Sequence, residues 1–114
     1  MEPEQIAEAF SRHRFEETYE FLAEDVRWDN LNGPQLAGRD AVIAACRHSA
    51  EYLATATTTF SRFRAVVGAD TVVVDSEATY AGADGAARVA SCDLYDFAAG
   101  RLAAITSYTV ELTS

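Results

Sequence analysis

The stretch Ser91-Cys92-Asp93-Leu94-Tyr95-Asp96-Phe97, then Ala98-Ala99-Gly100, then Arg101-Leu102-Ala103-Ala104-Ile105-Thr106-Ser107-Tyr108 decides the fold. Its side chains alternate at period two on either side of a glycine-ended turn, the pattern of an antiparallel hairpin. The alternation extends over 86–97 and 101–112 and recurs over 57–67 and 71–80, all rich in Thr, Val, Phe and Tyr. Ala83-Asp84-Gly85 supplies a second hairpin turn. The C-terminal half therefore reads as four long antiparallel strands.

Upstream the period changes. Residues 4–12 read as a helix with Ile6, Ala9 and Phe10 on one face. Residues 14–24 read as a second helix, with Phe15, Tyr19 and Leu22 at i, i+4, i+7 and Glu16, Glu17, Glu20 and Glu24 on a solvated side. A short strand around Val26–Asp29 and a turn-rich loop, Leu31-Asn32-Gly33-Pro34, lead to the longest helix, 39–53. Helices first and strands after is an α+β order, with helices on one face of a curved sheet. The length, 114 residues, fits one domain spanning 1–114.

Composition narrows the partners. The chain carries 18 acids against nine bases, all arginine, for a net charge of −9. That balance argues against nucleic acid and against an anionic membrane surface. No apolar run approaches a membrane span, and the acidic start Met1-Glu2-Pro3-Glu4-Gln5 is unlike a signal peptide, so a cytoplasmic location is expected. Cys46 and Cys92 have no metal or redox spacing and read as small buried hydrophobes. No metal motif or phosphate loop is present, and no cofactor is expected.

Three segments resemble the nuclear transport factor 2-like superfamily, which includes SnoaL-like polyketide cyclases, ketosteroid isomerase and limonene epoxide hydrolase. They are Phe21-Leu22-Ala23-Glu24-Asp25-Val26-Arg27-Trp28, then Trp28-Asp29-Asn30-Leu31 through Gly38-Arg39-Asp40-Ala41-Val42, and the closing hairpin quoted above. The resemblance implies a cone-shaped curved antiparallel sheet with three N-terminal helices on its concave face. It also implies an apolar pocket inside the cone. The fold hosts many chemistries, so function rests on individual residues.

Asp93 is the sharpest of these. It shares a strand face with Tyr95 and Phe97, so a concave face would desolvate it and raise its pKa. By resemblance its position matches the oxyanion-hole aspartate of ketosteroid isomerase, a case in which a carboxyl stays neutral to donate a hydrogen bond. It also looks like the acid/base aspartate of SnoaL-like cyclases. Asn30 falls where the epoxide hydrolase has a water-holding asparagine and the isomerase its general base; an amide accepts no proton at neutral pH. Its plainer role is a turn residue. Trp28, Tyr95 and Phe97 are expected to shape the pocket, and Ser107 to orient substrate or water. Of the two histidines, His48 on the third helix is the pocket candidate, near Tyr52, while His13 falls in the first inter-helix turn.

The strand Val74-Asp75-Ser76-Glu77-Ala78-Thr79-Tyr80 lacks the Arg-x-Asp of the epoxide hydrolase, and Ser107 replaces its second aspartate, which argues against that activity. Glu77 is a further acid/base candidate if its face looks inward, and a solvated or dimer-rim residue if it looks out. Thr106, Tyr108, Val110 and Leu112 form an apolar outer face that a homodimer would cover.

These readings lead to an expected cofactor-free acid–base enzyme, of isomerase, cyclase or dehydratase type, acting on a small hydrophobic, oxygenated molecule. Asp93 and Asn30 would be catalytic. The alternatives are a non-catalytic binder of small hydrophobic ligands, and a protein-interaction module with a closed or very small cone.

Overall fold

A computed structural model describes residues 1–113. Helix α1, Pro3–Ser11, starts where Pro3 opens the first turn and the Gln5 side chain accepts the Glu2 N–H at 2.8 Å. Its inner face buries Ile6, Ala7, Ala9 and Phe10. Next comes a 3-10 helix, Phe15–Phe21, where a longer α-helix is expected from the sequence. Two contacts end it early. The buried Thr18 hydroxyl donates to the Phe15 carbonyl at 2.6 Å, and Leu22, fully buried, already pairs with Leu102 as the first residue of a strand. Glu16, Glu17, Glu20 and Glu24 are all exposed.

Strand β1, Leu22–Asn30, turns back through β2, Gln35–Ala37, a short strand that the turn-rich loop conceals in the sequence. Gly38 then takes φ 95°, a left-handed value that favours glycine, and α2, Arg39–Leu53, follows. Arg39 ties this junction down by donating to the Leu22 carbonyl through Nε at 3.2 Å and Nη2 at 2.8 Å. Strands β3, Thr57–Val67, β4, Thr71–Gly82, β5, Gly85–Ala98, and β6, Arg101–Leu112, complete one sheet in the order β2-β1-β6-β5-β4-β3.

The sheet is mixed where an antiparallel one is expected. β1 runs parallel to β6, with Trp28 opposite Ile105 and Asn30 opposite Ser107. No hairpin joins these two strands, so the chain direction is not forced between them. The sheet is curved and unclosed, and three helices and six strands among the described residues make the expected α+β arrangement.

The core fills the gap between helices and concave face. Leu22, Val26, Val42, Leu102 and Tyr95 are fully buried there. Each such aliphatic side chain contributes roughly 1.5–3 kcal/mol over an exposed one. On the convex face Asp75, Glu77, Arg62 and Arg64 meet water, which settles the outward reading for Glu77. Tyr108 and Val110 are also exposed there. No helix among the described residues is long and apolar enough to cross a membrane.

Candidate functional site

Between the helices and the concave face lies a cavity of about 530 Å³. The pleat decides which residues reach it. On β5, Ser91, Asp93 and Tyr95 point in, as do Ser76 and Tyr80 on β4 and Ser107 on β6. The end of α1 adds Phe10 and Ser11, and the turn after it adds His13.

Asp93 is the centre of the polar part. Ser11 Oγ donates to its Oδ2 at 3.2 Å, and the buried Tyr95 hydroxyl lies 2.6 Å from the same Ser11 oxygen. With the Ser11 proton directed at Asp93, Tyr95 must donate to Ser11, so three groups form one chain. Desolvation pushes the Asp93 carboxyl above its ordinary value, and the hydroxyls of Ser107 and Ser11 only partly offset it. Burial also drives the Tyr95 phenol far up, with Asp93 adding to it. No cation pairs with Asp93 among the described residues.

Trp28 forms a wall and donates from Nε1 to Ser107 Oγ at 2.9 Å, which fixes both side chains. Phe10 stands edge-on to Trp28 at 5.1 Å, to Phe15 at 5.1 Å and to Tyr95 at 5.8 Å. This edge-to-face cluster makes the apolar wall stiff as well as flat.

The other sequence candidates are placed less centrally. Asn30 lines the cavity, but its Nδ2 donates to the Pro34 carbonyl at 3.1 Å, the turn role. His48 lines the cavity from an exposed position on α2. Phe97, expected to shape the pocket, lies outside its lining and packs in the core instead. Phe97 keeps the inner face with Asp93 and Tyr95, because the extra residue of the β5–β6 bulge, Ala103, lies on β6; it sits farther along the strand, where the core fills the space.

Sequence reasoning missed Ser11 and Tyr80 and set His13 aside in favour of His48. His13 Nε2 lies 3.0 Å from the Tyr80 hydroxyl, inside the cavity. Burial lowers the His13 pKa below 6.5 and raises that of Tyr80, to which Asp93 adds. A signal was present in the helix stop itself, where Ser11-Arg12-His13-Arg14 lacks the glycine common after a helix. Cys46 is buried and its thiol is pushed up to about 12, so it is inert. No group of three potential metal ligands occurs among the described residues.

Comparison with known proteins places this geometry in context. The family model described as a SnoaL-like domain matches residues 4–105. No curated protein matches the chain. Among solved structures, a nuclear transport factor 2-like protein of unknown function from Cytophaga hutchinsonii is similar at 25% identity and TM-score 0.83, over 93% of this chain and 94% of that one. A protein of Xanthomonas campestris proposed to be a polyketide cyclase shares 20% identity at TM-score 0.72, over 90% and 83% of the two chains. An epoxide hydrolase of the limonene type from M. tuberculosis shares 14% identity at TM-score 0.71, over 93% and 80%. At these last two identities the likeness is one of fold.

Proposed function

Because the chain belongs to the SnoaL-like domain family, we propose that it binds a small, largely apolar, oxygenated molecule in the cavity and acts on it by cofactor-free acid–base chemistry of the isomerase, cyclase or dehydratase type. One observation carries this reading. Asp93 presents a carboxyl to an aromatic-walled cavity, braced by hydroxyls and balanced by no cation. A carboxyl so desolvated holds its proton to higher pH and can donate it to a ligand oxygen. Ser107 and Asn30 would orient substrate or water, and Trp28 and Tyr95 would bound it.

A second reading, a ligand carrier without turnover, draws support from the same contacts, since Asp93's bonded neighbour Ser11 is a hydroxyl and no base. The open cavity weighs against an interaction module with a closed cone. We further propose that a second copy covers Tyr108 and Val110 on the convex face, which sedimentation at micromolar concentration would read as a dimer.

Trp28 is the chain's single tryptophan and lines the cavity, so its emission reports occupancy. The test compares 2-decalone with decalin, two molecules of similar shape of which one carries a carbonyl. The ketone is expected to bind about tenfold tighter, the worth of roughly one hydrogen bond. Asp93→Ala should abolish that preference and Asp93→Asn should keep part of it. Absence of any response from Trp28 to either compound, or a preference indifferent to Asp93→Ala, overturns the reading.

A further inference from the structure

The end of α1 is built in an unusual way. Arg14 N–H donates to the Ala9 carbonyl at 2.8 Å and His13 N–H to the Phe10 carbonyl at 3.0 Å, the paired bonds of a Schellman helix end. In that motif the residue after the cap is left-handed and is usually glycine. Here it is His13, with φ 68°. A side chain at such a position is a departure that points towards a use for it.

The surroundings hold this side chain in place. Arg12, one residue earlier, lies over the Phe63 ring at 3.8 Å and the Phe60 ring at 5.4 Å, pinning the turn to β3. The His13 ring is 5.6 Å from Phe15 and 5.9 Å from Phe60. Its Nε2 meets the Tyr80 hydroxyl on β4. The same turn sends Ser11 to Asp93, so one helix end delivers a partner to each of two polar stations in the cavity.

We propose that His13 and Tyr80 form the proton-accepting pair of this site, acting on a carbon acid whose carbonyl oxygen is held by Asp93. This rests on the acid–base reading above and supplies the base that Asp93 lacks. The α C–H bond of a bound ketone breaks and its electron pair becomes the enolate double bond. The carbonyl π pair moves to oxygen, where Asp93 donates a hydrogen bond. The proton passes to the Tyr80 oxygen as the Tyr80 proton passes to His13 Nε2. Returning the proton to the same or another carbon closes the cycle, with no oxidant or reductant involved.

The ionisable groups around the pair are few. Asp93 and Tyr95 face the cavity from the sheet, Tyr52 and His48 face it from α2, and Arg12 lies over the Phe60 ring that His13 also meets. On the far side of His13, Arg47 on α2 and Glu16 and Glu17 line a neighbouring depression, with Arg14 paired to Glu17 at 3.3 Å. Burial keeps His13 neutral, and therefore able to accept, at pH 7.

The test is deuterium incorporation at the α carbons of 2-decalone in D2O, read by NMR. The wild-type chain is expected to accelerate exchange, with a rate that climbs with pH as His13 loses its proton and falls again as Asp93 loses its own. His13→Gly places the favoured residue in the left-handed turn, so its Tm should hold while exchange falls at least about 100-fold. Tyr80→Phe keeps the ring and should lose exchange similarly. Both variants should retain the Asp93-dependent preference for the ketone over decalin. A folded His13→Gly or Tyr80→Phe chain that exchanges at the wild-type rate overturns the pair, as does a wild-type chain that binds the ketone without exchange. Failure to bind 2-decalone at all overturns the pair together with the reading beneath it.

Discussion

Asp75 and Asp93 lie on adjacent strands, one pleat apart. Val74 is the Cα partner of Asp93, and Asp75 that of Cys92. Asp75 points outward, where its carboxylate accepts from Arg62 at 3.1 and 3.2 Å and from Arg64 at 2.8 Å. The Arg62 hydrogen bond, before any other cause, holds its pKa below 3.8. Asp93 points inward, meets hydroxyls instead of guanidinium groups, and is pushed the other way by desolvation. One residue type in one sheet thus has two protonation tendencies, set by which face the pleat presents. The pairing is systematic: Arg27, Arg62, Arg64 and Arg88 all spend their charge on Asp29, Asp75 or Glu77. The inner carboxyl is left without a counter-charge.

The most severe way to break this contrast is to put a second acid inside. Val74 is fully buried and faces the cavity side of the sheet opposite Asp93. Val74→Asp should cost about 3 kcal/mol or more, as a second buried carboxyl beside Asp93 with no cation to pair it. Urea denaturation at pH 7 should find the chain largely unfolded, with partial recovery as the pH falls and the carboxyls protonate. An unchanged urea midpoint would mean the inner face is far wetter than its burial indicates.

Neutralising the inner acid should have an intermediate effect of opposite sign. A carboxyl with a raised folded-state pKa binds more protons folded than unfolded, so it costs stability as pH rises from 3.8 through the raised value. Asp93→Asn removes that cost. Its Tm should exceed that of the wild type at pH 7 by a few degrees, roughly what 1 kcal/mol gives a domain of this size, and the gap should close towards pH 3. A Tm below wild type at pH 7, with the gap widening as pH rises, would show that the charged form is stabilised there and that the inner station is an anion site.

The strand half of this arrangement was legible because period-two alternation is local and strong. The bounds 57–67 and 101–112 read from the sequence coincide with β3 and β6. Asp93 was legible for the same reason, since its face-mates Ser91 and Tyr95 are also in the cavity. What was hidden depended on tertiary contact. The 3-10 helix looks like an α-helix until Leu22 is seen to pair with Leu102. Phe97 keeps the inner face but lies outside the cavity, because core side chains fill that end of the sheet, and no pattern along β5 marks where the filling begins. Which face of β4 turns inward was undecidable from its alternation alone, because Asp75 and Glu77 suit either a solvated face or a site. The arginines of β3 and β5 decide it, and only the register of the two hairpins sets them against Asp75 and Glu77. His13 was hidden more deeply, since only the backbone of the helix end shows that its side chain is carried inward.

The gentlest probe of the contrast is the outer acid itself. Asp75→Asn removes the negative charge shared by Arg62 and Arg64, but Arg62 retains Glu77 at 3.6 Å and both guanidinium groups stay in water. A carboxylate with a lowered pKa contributes stability that is present above 3.8 and fades as pH falls through the lowered value. The substitution should therefore lower Tm slightly at pH 7 and not at all well below pH 3. Because the pair is exposed, 1 M salt should erase most of the difference, the screening length there being about 3 Å. The preference for 2-decalone over decalin should be untouched, since Asp75 faces away from the cavity. A loss of that preference in Asp75→Asn would show that the two faces communicate through the strand, and that the inner carboxyl owes its state to more than its own desolvation.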